Sequence, residues 1–354
     1  MAVDFSEFRK QGYSEWVKAA EKALKGKPLD SLIWKVDDAI NMDPIHTADQ
    51  PRPAGNTSIS REDNRWLIGE SFDGSSAPTA NDLLLKALQG GLDSPLLFDV
   101  RNFEACLNQV RLDFLFPIFR DSEWISYRKY LRFSGFDPKK LSGGFIIYEA
   151  GYGDLDLYDV MQPLLEICIV LPRFYHTTMT ISIDSFDIGE SMGRSLDNLS
   201  GVIYQMLYQG INPRIICEVE CDGDFVKNVA TIRALRKQVH LICKSYGIEN
   251  DSVMIDAYAY ESAQDAQLAM IGATAKAVSA VSAGVDRLTI ACESMNVQLD
   301  EETNRRMARN VHHLMMMESG LDKIADPLCG SYTIETLTEK IAERSWGEFQ
   351  RLNK

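Results

Sequence analysis

"RIICEVECDGDFVKNVATIRALRKQVHLICKSYGIENDSVMIDAY", residues 214–258, contains the unit from which most of this chain is built. A short β-rich run, "RIICEVE" (214–220), gives way to a long helical stretch, "DFVKNVATIRALRKQVHLICKSYG" (224–247). A second run, "VMIDAY" (253–258), follows. A strand that returns through a helix pairs parallel to the strand before it. Outward from this unit, similar runs stand at "PLLFD" (95–99), "VRLDFLF" (110–116), "GFIIYE" (144–149), "MTISID" (179–184), "RLTIAC" (287–292) and "DKIAD" (322–326). From the third onward they recur roughly every 35 residues. Eight strand–helix units are what a closed (β/α)8 TIM barrel requires, so the pattern predicts an α/β barrel over 91–354. An open doubly wound sheet is the other architecture with this rhythm, but no GxGxxG follows the first strand.

Residues 1–90 read differently. "SEWVKAAEKALKG" (14–26) is an amphipathic helix with Ser14 as N-cap and Gly26 as its stop. The Pro-rich segment 27–58 carries apolar anchors at Leu32, Ile33 and Trp34, and its composition is wrong for a core of its own. It is expected to lie along another surface as an extended arm, with Trp16, Leu32, Ile33 and Trp34 as candidate partner contacts.

With 354 residues, 45% of them hydrophobic, the chain can bury a large core. A net charge of −14 and no basic stripe argue against nucleic acid. Apolar runs such as "LLEICIVL" (164–171) are too short to cross a bilayer, and the N-terminus has no apolar leader core, so a cytoplasmic protein off the membrane is expected. Seven scattered cysteines, none in a CxxC pair, read as buried thiols rather than disulfides or a zinc site.

Barrel chemistry sits at the C-terminal ends of the strands. Read from sequence, nearly every such end carries an acid: Asp99, Asp113, Glu149, Asp184, Glu220, Asp256, Glu293 and Asp326. Hard divalent cations take oxygen ligands, and Asp184, Glu220 and Asp256 form the candidate set for a metal-dependent barrel enzyme. The plainer reading is that several of these acids cap the helices that follow. No histidine falls at a strand end, and no Ser–His arrangement supports a nucleophile.

The C-terminal stretch "ETNRRMARNVHHLMMMESGLDKIADPLCGSYTIETLTEKIAERSWGEFQ" (302–350) resembles the end of the barrel domain in adenosylcobalamin-dependent methylmalonyl-CoA mutases. That region of the family carries an R-x-A-R-N helix, an E-S/T-G turn, D-P-x-x-G-S-Y and a helix opening x-x-E-x-L-T. Asp326, Pro327, Gly330 and Ser331 stand at the matching turn. The N-terminal "DSLIWK" (31–36) is similar to the family's subunit-embracing arm. "LSGGFIIYEA" (141–150) and "MTISIDSFDIGES" (179–191) take the places of its third and fourth strands.

The departures bear on function. Where the resemblance implies Ser-Gly-Tyr-His-Met, with Tyr and His at the substrate, this chain has Asp184-Ser185-Phe186-Asp187-Ile188. A phenyl ring at Phe186 offers no hydroxyl, and an anion at Asp187 reverses the sign needed beside an acidic substrate. "YEAGYGDLDLYD" (148–159) lacks the family's carboxylate-binding arginine, and "VRNFEACLNQ" (100–109) is too short for its first substrate loop. The D-x-H-x-x-G motif of a cobalamin-binding flavodoxin-like domain is missing from the sequence. The resemblance therefore implies a small, non-catalytic subunit that binds no cofactor and is inactive alone. A catalytic large subunit would carry adenosylcobalamin in a heterodimer, with a homodimer in its absence. The alternative within the family is a catalytic substrate barrel served by a separate cobalamin-binding chain.

Overall fold

The structure is a computed structural model, and it describes residues 12–48, 61–120, 122–150, 157–183, 186–294 and 300–354. Eight parallel strands close a barrel: β3 (Leu67–Asp73), β4 (Ser94–Phe98), β5 (Ile118–Arg120), β6 (Gly143–Ala150), β7 (Phe174–Ser182), β8 (Ile215–Glu220), β9 (Val253–Ala263) and β10 (Arg287–Ser294). They pair in chain order, and β10 closes on β3. Two short strands precede them, β1 (Trp34–Lys35) and β2 (Asn41–Met42), paired antiparallel. The helices are α1 (Tyr13–Leu24), α2 (Ala77–Gln89), α3 (Phe103–Cys106), α4 (Trp124–Ser134), α5 (Leu157–Val170), α6 (Ile188–Tyr208), α7 (Phe225–Ser245), α8 (Ala266–Ser282), α9 (Glu301–Met317) and α10 (Tyr332–Leu352).

The predicted barrel and its count of eight strands hold, but two members differ. The run at 110–116 is a 3-10 turn over Leu112–Phe114, and the strand comes after Pro117, at Ile118–Arg120. The run at 322–326 makes no strand. Asp322 O accepts from the Asn64 backbone N–H at 2.9 Å, and Asp326 is drawn to Arg233 on α7. The barrel instead opens with β3, inside the stretch read as arm. "LIGESFD" lacks an apolar alternation because its inward and outward positions serve polar partners. A Cβ on Gly69 would come within 2.7 Å of the Arg287 guanidinium carbon, and Glu70 pairs with Arg305 and Arg309. The barrel and its first helix, α2, therefore reach back before residue 90.

The lower part of the barrel axis is closed by Leu96, Ile118, Ile146, Tyr175, Ile216 and Met254. Outside the wall, α6, α7 and α8 pack Leu196, Ile203, Val229, Ile232 and Ala273 against the outward faces of β7–β10. A second core under α2, α3 and α4 is built on Phe103, Phe119, Tyr127 and Phe145. α10 lies across α6. Gly193 permits the close approach, since a Cβ there would sit 2.7 Å from Ser345 O.

The arm divides in two. Val36, Ile40 and Met42 are buried in the chain's own core, with Trp34 packed against it, and Lys340 on α10 donates to Asn41 O at 2.6 Å. Trp34 is thus half-buried within the chain itself. α1 buries none of its residues, Trp16 is half-exposed beside Tyr13, and Leu32 and Ile33 are exposed. The helix starts at Tyr13 with Gly12 in the cap position, so Ser14 is inside it rather than its cap.

Candidate functional site

The barrel mouth is where the fold would place chemistry, and the axis beneath it is occupied by ion pairs. β10 carries Arg287 and β9 carries Asp256 at paired register positions, with both side chains wholly buried. Arg287 Nη1 donates to Asp256 Oδ2 at 2.7 Å and Oδ1 at 2.9 Å, and its other nitrogens reach Ser94 Oγ and Ser94 O, each at 2.9 Å. Burial raises the Asp256 pKa, and Arg287 opposes that rise. Burial alone would lower the Arg287 pKa, but Asp256 holds it above its ordinary value. Across the axis, Arg120 on β5 pairs with Glu218 on β8, and Thr180 Oγ1 donates to the same carboxylate at 3.4 Å. Tyr258 and Ser71 share a hydrogen bond at 3.3 Å. Buried charges survive only with partners of opposite sign, so this layer is a set of mutual obligations rather than free binding groups.

Of the candidate metal ligands, Asp184 lies outside the described residues. Glu220 is exposed at the end of β8. Asp256 is not at a strand end at all, because β9 continues to Ala263, and its carboxylate is committed to Arg287. The structure thus does not assemble the set. Among the described residues, no three His, Cys, Asp or Glu side chains come together as a metal site. The helix caps are acids, but different ones from those expected. Asp187, Asp224, Asp265 and Asp300 accept the N-terminal N–H groups of α6, α7, α8 and α9, some residues past the strand ends.

Phe186 projects into solvent at 88% exposure. Its backbone oxygen accepts from the Asp38 N–H at 3.0 Å, and Asp37 Oδ2 accepts from the Ile188 N–H at 3.0 Å, so the arm is stitched to this segment. Asp187 uses Oδ1 to cap α6 through Glu190 N–H and Oδ2 to accept from Arg344 on α10. Burial pushes its pKa up, but Arg344 and the helix N–H groups outweigh that and hold it low.

The turn at 326–331 is held by an ion pair and a backbone bond. Arg233, with a fully buried side chain, pairs with Asp326, and Pro327 follows. Gly330 adopts φ +86°, the left-handed conformation that glycine tolerates, and its N–H donates to Glu335 Oε1 at 2.8 Å. Ser331 occupies the N-cap position of α10, but its side chain makes no capping bond.

None of the five histidines is at a strand C-terminal end. His176 is buried at the foot of β7, His240, His312 and His313 are on helices, and His46 is in the arm. Missed at the sequence level were Arg120, Arg287, Arg305 and Arg309. Arg287 opens the β-rich run at 287–292, which was the available signal; Arg120 lies beyond the run read at 110–116, and Arg305 and Arg309 are on α9.

A methylmalonyl-CoA mutase family model matches residues 202–354. The methylmalonyl-CoA mutase small subunit of Porphyromonas gingivalis is 26% identical over 98% of this chain and 63% of its own length. The small subunit of Streptomyces virginiae is 20% identical over 99% of this chain and 64% of its own length. A methylmalonyl-CoA mutase of Cereibacter sphaeroides is 24% identical over 94% of this chain and 57% of its length. The chain thus spans less than two thirds of each of these relatives.

Proposed function

We propose that the chain is a member of the methylmalonyl-CoA mutase family and serves there as a small, non-catalytic subunit. Its partner is a catalytic large subunit that holds adenosylcobalamin and substrate and interconverts methylmalonyl-CoA and succinyl-CoA. The observation that carries this reading is the filled axis. An apolar plug closes the foot of the barrel, and the Arg287–Asp256 and Arg120–Glu218 pairs occupy the layer above it. An extended acyl thioester could enter only by breaking buried ion pairs, each of which leaves an uncompensated charge costing about 3–5 kcal/mol. The Phe186–Asp187 segment supports the same reading, because its side chains and backbone are spent on solvent, helix capping and the arm.

The experiment is purification from the native host under mild conditions, with identification of whatever co-elutes stoichiometrically. A mutase subunit with intact substrate-binding Tyr and His is the expected companion, and the isolated chain should show no turnover with added adenosylcobalamin and methylmalonyl-CoA. Turnover by the isolated chain, or elution without a mutase partner, would overturn the reading.

A further inference from the structure

The barrel wall parts between β3 and β10. Their ladder runs only from Arg287 opposite Leu67 to Thr289 opposite Gly69, while β10 stays paired with β9 as far as Ser294. Backbone groups above that point lack strand partners on this side, and α9 supplies substitutes. Asn304 Nδ2 donates to Cys292 O at 2.7 Å, and Arg305 Nη1 donates to Ser71 O at 2.9 Å. These side chains patch the seam without filling it. A cavity of about 300 Å³ remains between α9 and the two strand edges.

Its lining has two characters. Gly69, Ile290, Ala291 and Ala308 make an apolar wall. The other end is cationic, because the single buried carboxylate of Glu70 is shared by two guanidiniums, Arg305 at 2.7 Å and Arg309 at 2.5 Å. Glu301, the other acid on this lining, accepts from Arg305 Nε and Nη2 at 2.9 and 2.8 Å, but it is largely in solvent and is screened more than Glu70.

His312 adds a donor. It lines the cavity and is 1% exposed. The Trp66 indole N–H, which can only donate, gives its proton to His312 Nδ1 at 3.0 Å. The ring's own proton is therefore on Nε2, and burial, pulling the pKa down to about 3, keeps the ring neutral. That Nε2–H has no acceptor among the described residues.

We propose that the seam cavity is a binding site for a short-chain carboxylate, its oxygens met by His312 and the arginine-rich end and its tail by Ala308 and Ile290. A neutral ligand would bring no anion to the guanidinium end, and inorganic phosphate would leave the apolar wall uncovered. The proposal does not rest on the subunit role, although Ser71 and Tyr258 of the axis layer also line the cavity.

The test is titration of the full chain with butyrate, n-butanol and inorganic phosphate, followed by calorimetry. Butyrate is expected to bind saturably at one site per chain, with butanol and phosphate at least tenfold weaker. Ala308→Leu, which fills the apolar wall and touches no ion pair, should lower butyrate affinity at least tenfold, and His312→Phe should do the same. Ala308→Leu keeps the test decisive should His312→Phe fail to fold, with circular dichroism as the check. Absence of saturable butyrate binding, butanol or phosphate binding as tightly as butyrate, or unchanged affinity in Ala308→Leu would each overturn the proposal.

Discussion

Arg344 Nη2 lies 2.7 Å from Asp187 Oδ2, and this bond ties the first turn of α6 to α10 at the position where mutase resemblance places a substrate histidine. The other oxygen of the same carboxylate caps α6, and the neighbouring Ile188 N–H is held by Asp37 of the arm. Three elements meet at one aspartate. The position has become a joint, and a joint constrains what can be substituted there.

Asp187→Ala removes both the cap and the ion pair. The half-exposed Arg344 means that the pair itself contributes little, so the cap dominates, and a loss of about 1–2 kcal/mol in urea denaturation is expected. The double change Phe186→Tyr, Asp187→His should cost similar stability and produce no mutase turnover, because the axis below it stays filled. Measurable turnover from that variant would show that the segment alone had disabled the site.

Asp256→Ala leaves Arg287 charged, buried and without its carboxylate. Loss of one partner of a buried pair costs about 3–5 kcal/mol, enough that the variant should express poorly or unfold at low urea. The paired change Asp256→Leu, Arg287→Met should recover much of that loss, since apolar replacements of both partners need no desolvated charge. A single variant as stable as the parent would mean that the charge finds water, and the axis would then not be closed.

The barrel was legible because helices of fixed length separate buried β-rich runs, and six of the eight predicted runs coincide with barrel strands. The strand that was missed, β3, and the run at 322–326 that forms none share a cause. β3 carries Gly69 and Glu70 where a core strand would carry Val or Ile, and both answer to residues over 200 positions away, Arg287, Arg305 and Arg309. "DKIAD" has strand-like composition, but Arg233 claims its last aspartate and Asn64 its first backbone oxygen. The same long-range pairing hid the seam cavity, which exists only because β3 and β10 separate after three residue pairs. Acidic caps were visible as a class, but which acid caps depends on how far each loop runs beyond its strand.

The split arm makes a prediction for assembly. Trp34→Ala should cost the isolated chain about 1–3 kcal/mol, since the ring packs against the chain's own core. Trp16→Ala and Ile33→Ala should change stability by less than about 0.5 kcal/mol yet weaken association with the large subunit, measured by calorimetry or analytical ultracentrifugation. Equal association constants for parent and both surface variants would remove α1 and the segment after it from the interface.

Acid should destabilise the chain before its carboxylates titrate. Burial holds His312 at a pKa of about 3 and His176 at about 4, well below the unfolded value near 6.5. Between those values the unfolded chain binds protons that the folded one refuses. Stability is therefore complete above pH ~6.5 and is lost as pH falls toward the folded values, by about 1.4 kcal/mol per pH unit for each histidine. The charges nearest His312 are Arg287 and His313 and the one nearest His176 is Arg214, and all of them oppose protonation. Asp187 and Asp222, held low by Arg344 and Lys227, contribute in the same direction only below pH ~4. Asp93, raised by burial, works in the opposite direction. His46 and His240, also lowered by burial, act in the same direction. Urea midpoints measured from pH 7 to 5 should fall steadily, and His312→Gln, whose amide oxygen can still accept from Trp66, should flatten that slope. A parent midpoint constant across this interval would mean that the buried imidazoles are protonated in place, and the neutral donor assigned to His312 would have to be withdrawn with them.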